Sequence, residues 1–83
     1  MDELYERIDL AIPQINALTN KVAKRDLIKM VRTIDSKITE VDQESVECRR
    51  LHKETRRYQE LYKQAVDLLD NLERHITFAT LLG

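Results

Sequence analysis

The chain has 83 residues, 14 basic and 15 acidic, with 35% charged and 42% apolar, one proline (Pro13) and one glycine (Gly83). From Gln14 to Leu82 there is no strong backbone breaker, which argues against a turn-rich β-sandwich or barrel and excludes glycine loops that cradle phosphates. Such a charge-rich, glycine-poor composition points to long amphipathic helices, and a net charge of −1 gives no global attraction to nucleic acid or anionic lipid.

Taken in chain order, the first apolar stripe is Leu4, Ile8, Ala11, Ile15, Leu18 and Val22, at helical steps of three and four. Pro13 interrupts it, because proline removes the amide that would bond Asp9 and disfavours the α region at Ile12. A first helix is expected over about 2–12, either ending there or forming part of a longer helix kinked at the proline. Thr19-Asn20 precedes a change of phase and has the chemistry of a helix cap. The second stripe runs Leu27, Val31, Ile34, Ile38 and Val41, and a second helix is expected over 14–41.

No apolar residue occupies positions 42–45, and two folds compete there. One is a continuous rod from about Asp26 to Thr77, on the order of 75–80 Å long. The other folds back at 42–45 into an antiparallel hairpin. The third stripe, Leu51, Thr55, Tyr58, Tyr62, Ala65, Leu69, Leu72 and Ile76, predicts a helix over 45–77 followed by an apolar tail at 78–83.

Charge alternates in blocks: net −3 over 1–12, +4 over 21–32, −4 over 35–47 and +4 over 49–57. A fold about residue 44 sets acidic 35–41 against basic 47–53. A parallel in-register copy would set each block against itself. The expected architecture is a single all-α domain over 1–83: an antiparallel helical hairpin or small three-helix bundle with coiled-coil-like packing, with the long coiled coil as alternative.

Several clusters could carry function. Arg49, Arg50, Lys53, Arg56 and Arg57 fall within roughly a 120° arc if one helix carries them, a face for nucleic acid or an acidic partner. Base-reading and stacking residues are missing around them. Cys48 and His52 lie four apart, a spacing that holds metal only if a second copy completes the set. With Ser45 and Thr55 they weaken the middle of the seam, where a partner, a local opening or the turn would sit. Two serines and two histidines without an oxyanion loop do not suggest catalysis. No enzyme activity, cofactor or metal is expected.

Phe78, Leu81 and Leu82 leave the third stripe, and either cover the end of the bundle or dock a partner. Leu4, Tyr5, Ile8 and Ile12 supply a third bundle helix or an arm for a partner's groove. The expected partner interface is Leu51, Tyr58, Tyr62, Leu69, Leu72, Ile76, Phe78, Leu81 and Leu82, because the 45–80 seam outlasts 14–41. The predicted function is a non-enzymatic helical interaction module, a small subunit or scaffold that forms a homo-oligomer or a heteromeric complex. The alternative is a nucleic-acid-binding hairpin using 49–57, and a membrane-surface helix ranks third. An N-terminus without a signal peptide and a single cysteine suit the cytoplasm or nucleus, and no stretch is long enough for a transmembrane segment.

Overall fold

A computed structural model describes residues 2–82 and is all-α, with α1 (Asp2–Asn16), α2 (Lys21–Leu51) and α3 (Arg56–Leu82). Each helix packs on the other two. The short connections 17–20 and 52–55 reverse the chain, so α2 runs antiparallel to both neighbours. The molecule measures 48 × 17 × 16 Å. The 31 residues of α2 are about 46 Å long at 1.5 Å per residue, so this one helix spans the molecule and the 75–80 Å rod is not formed.

The first helix does not stop before Pro13. It carries the proline inside it and ends one turn later at Asn16. Pro13 is exposed, so water can solvate the Asp9 carbonyl that loses its usual amide partner. Beside it, the Gln14 side-chain amide donates to the Leu10 carbonyl at 3.1 Å. The chain then turns, and Asn20 caps α2: its Oδ1 accepts from the Val22 and Ala23 amides at 3.0 and 3.1 Å. The expected cap residue is therefore used. Because α2 begins at Lys21 rather than at 14, Val22 lies on its outer face, 66% exposed, and leaves the first stripe.

The reversal lies at 52–55, not at 42–45. Asp42-Gln43-Glu44-Ser45 stays helical, with the Ser45 hydroxyl donating to the Asp42 carbonyl at 2.8 Å. Four polar residues interrupt an apolar stripe without breaking a backbone, and Gln and Glu are good helix formers. What ends α2 is His52, at φ 58 and ψ 32 in the left-handed region. The Lys53 amide bonds back to Cys48 O at 3.1 Å and the His52 amide to Arg49 O at 3.3 Å. These are the two bonds of a Schellman cap, built here with histidine where glycine is usual. With the turn moved, acidic 35–41 and residues 47–51 lie on the same helix, and block-on-block charge pairing does not set the register.

Packing does. The core is Leu4, Ile8, Ala11 and Ile15 of α1; Leu27, Ile34, Ile38 and Val41 of α2; and Leu61, Ala65, Leu69, Leu72 and Ile76 of α3. Every step within each set is three, four or seven, so each helix presents one face inward. Among the described residues no polar or charged residue is buried. The long α3 seam is thus covered from Leu61 to Ile76 by the chain's own α1 and α2, which removes the seam-length case for an obligatory partner there.

Candidate interaction surfaces

Three surfaces remain outside that core: the hairpin tip, the last turns of α3, and the outer face shared by α1 and α2. At the tip the turn splits the basic run. Arg49 and Arg50 end α2, Lys53 lies in the turn, and Arg56 and Arg57 open α3, so the single-helix arc is not assembled. Two of the five are already engaged. Arg50 forks onto Glu47, and Arg57 Nε lies 3.6 Å from Glu44 Oε2. The Arg50 guanidinium holds the Glu47 carboxyl below the usual carboxylate range, mainly through their hydrogen bond. Arg49, Lys53 and Arg56 are exposed and make no ion pair among the described residues.

Inside the tip sits a polar clasp that sequence spacing did not reveal. Thr55 Oγ1 accepts the Tyr58 amide at 3.0 Å, capping α3, and donates to Glu44 Oε1 at 2.9 Å. The Thr55 amide donates to Cys48 Sγ at 3.4 Å. Cys48 is therefore turned toward Thr55, while His52 is exposed and serves the left-handed turn. Among the described residues no group of three or more His, Cys, Asp or Glu is placed to hold a metal ion.

The expected interface residues divide. Leu69, Leu72 and Ile76 are at most 3% exposed in the chain's own core, so they are contacts within the chain rather than a free surface. Tyr58 and Tyr62 are half-buried against that core, with ring centroids 5.9 Å apart and tilted by 37°. The Tyr62 hydroxyl donates to Glu3, which together with burial raises the phenol above its ordinary range. Leu51 is 41% exposed at the end of α2.

Phe78, Leu81 and Leu82 do not form a separate tail: α3 continues to Leu82, and Gly83 lies outside the described residues. A helix that persists carries them off the core face, and they are 63%, 80% and 74% exposed. Phe78 and Leu82 rim a cleft of about 230 Å³ whose floor includes Ala23, Leu27 and Met30 of α2. They border the end of the bundle without closing over it.

On the α1 side, Ile12 and Ile15 line a second cleft of about 320 Å³ with Ile28 and Val31. Next to it Lys21, Arg25, Lys29 and Arg32 share roughly an 80° arc of the outer face of α2, with Lys24 at its α1 edge. None of these five cations makes an ion pair among the described residues. The +4 block over 21–32 contains this stripe, although its residues are spread more widely along the sequence than those of the 49–57 run. Among the described residues the cross-helix ion pairs are instead Arg7 of α1 with Asp70 and Glu73 of α3, each at 2.7 Å, and Arg57 with Glu44.

No helix among the described residues is long and apolar enough to cross a membrane. No protein-family model, curated protein or solved structure matches the chain.

Proposed function

We propose that this chain is a non-enzymatic helical protein–protein interaction module, a small subunit or scaffold working in the cytoplasm or nucleus. The observation that carries it is the apolar group Phe78, Leu81 and Leu82, exposed on the last turns of α3 beside an open apolar cleft. A contiguous exposed apolar patch rimmed by polar residues is characteristic of association surfaces, and a helix of a partner would fill the cleft with alternate side chains. A core in which no polar residue is buried among the described residues forms the base for that surface. Nucleic-acid binding at the hairpin tip has less support, because Glu44 and Glu47 already neutralise two of its five cations.

The test is affinity capture of the full chain from extracts of its source cells, with crosslinking mass spectrometry to locate the contact. A specific protein crosslinked near α2 residues 21–30 and α3 residues 75–82 is expected, and it should be lost in a Phe78→Asp/Leu81→Asp/Leu82→Asp variant of unchanged helicity. Capture that survives this variant, or the absence of any specific protein, would remove the proposal.

A further inference from the structure

The face shared by α1 and α2 is bipolar. One half holds Lys21, Lys24, Arg25, Lys29 and Arg32, without an ion pair among the described residues. The other half follows from the register. Ile12 and Ile15 line one cleft with Ile28 and Val31, and the two helices are antiparallel, so Asp9 and Glu6 lie level with the Ile34–Ile38 turns of α2. On α2 itself, Lys24, Ile28, Val31, Asp35 and Asp42 follow one another at steps of three, four and seven along the edge facing α1. That edge reads cation, apolar, apolar, anion, anion. Glu6, Asp9, Asp35 and Asp42 also make no ion pair among the described residues. Lys37 does not offset them, because it is held by Glu40 at 3.0 Å.

We infer that this face binds a second copy of the chain, two-fold related and antiparallel, so that the basic half of each copy meets the acidic half of the other. A two-fold axis at the level of Val31 and Arg32 carries Lys24 of one copy between Asp35 and Asp42 of the other. It also brings both Ile12–Ile28 clefts to the centre, where apolar area is most effective, and leaves the charges toward the rim. An isologous interface must be self-complementary, and a surface divided into opposite halves about its midpoint meets that condition. A polyanion fits less well, since four carboxylates continue directly from the five cations. The α1 element is essential to the match: it supplies two of the carboxylates and one wall of the apolar cleft.

The inference rests on the proposed association function but uses a face separate from the α3 end, so each can fail alone. Sedimentation equilibrium of the full chain from 10 to 200 μM should show a dimer at low salt that weakens about tenfold or more between 50 and 500 mM NaCl, as screened charge pairs require. A Lys21→Glu/Arg25→Glu/Lys29→Glu variant and a Glu6→Lys/Asp9→Lys/Asp35→Lys variant should each be monomeric, and their equimolar mixture should restore the dimer. Carbodiimide crosslinking of mixed light and heavy isotope-labelled wild-type chains supplies an arm free of mutation, with Lys29 joined to Glu6 or Asp9 between copies. A wild-type monomer at 200 μM and 50 mM NaCl overturns the inference, as does a dimer unchanged by both reversals. A mixture that stays monomeric, or crosslinks elsewhere only, has the same consequence. If the dimer fails while partner capture at Phe78, Leu81 and Leu82 succeeds, only this inference falls.

Discussion

The two long helices α2 and α3 behave as two different structures along their length. Where α1 lies over them, from Leu27 to Val41 and from Leu61 to Ile76, they share a three-sided core with nine of their residues buried. Past Val41 and before Leu61 α1 is gone, and no residue of the hairpin tip is buried. There the helices are joined by half-buried Tyr58 together with the Glu44–Thr55–Cys48 clasp and the Arg57–Glu44 pair. The difference shows what a third helix contributes. Two helices alone can shield only a narrow stripe, so α1 converts that stripe into a dry interior, and the tip without it relies on half-buried contacts, most of them polar.

The sharpest way to break the comparison is to empty one side of it. Leu72→Ala, at a residue with no exposed surface, should cost about 2–5 kcal/mol in urea unfolding, through lost transfer energy plus a cavity. Leu51→Ala, at the 41% exposed end of α2, should cost under about 1 kcal/mol. Equal losses at the two sites would mean that the tip is as well packed as the core.

The contrast was only partly legible in the sequence. Helicity, the core face of each helix and the Asn20 cap could be read, because spacing and capping are local properties of the chain. Position of the turn was not. The stretch from His52 to Arg57 has six residues without an apolar side chain, a longer gap than 42–45, yet Thr55 falls on the period of the seam and bridges it. A histidine in the left-handed conformation gives no warning, since the expected residue there is glycine. Pro13 leaves the end of α1 open between two readings, and the longer helix forms because an exposed carbonyl near the end of a helix can dispense with its amide partner. The spacing of Leu69, Leu72 and Ile76 suits a partner's surface as well as an internal core, because period alone cannot say whether a neighbouring helix comes from the same chain.

The clasp should respond more weakly than the core. Thr55→Ala removes the cap on α3 together with the bond to Glu44, and should cost about 1 kcal/mol. Thr55→Ser should recover most of it. Native-state hydrogen exchange should then show amides of 46–51 and 57–60 opening well below the global unfolding free energy, with those around Leu69 and Leu72 exchanging only through global unfolding. Uniform protection along α3 would erase the proposed division.

His52 tests the turn in the stabilising direction. A residue with a Cβ pays a steric penalty at φ 58, which glycine avoids, although glycine also loses more backbone entropy on folding. His52→Gly should raise stability by about 0.5–1 kcal/mol. His52→Val should lower it, because a β-branched side chain tolerates this region worst. The pair of variants separates backbone strain from any role of the imidazole.

The smallest effect belongs at the margin of the α1-covered half, where the Tyr62 hydroxyl donates to Glu3. That bond, with burial, raises the folded phenol above its ordinary value. The neutral phenol is the form that donates, and ionisation would leave two anions facing each other. The unfolded state therefore loses its proton first as pH rises. Stability from this contact is complete below the unfolded phenol value, about 10, and is lost as pH climbs through the raised folded one. Tyr62→Phe lacks that proton, so the difference in urea midpoint between the wild type and this variant should shrink from pH 8 to pH 11. Because the rest of the chain meets the same pH change in both proteins, only the difference isolates the tyrosine. A difference that stays constant to pH 11 would show that the Glu3 contact does not persist in solution, and that α1 is held by its apolar face and Arg7 alone.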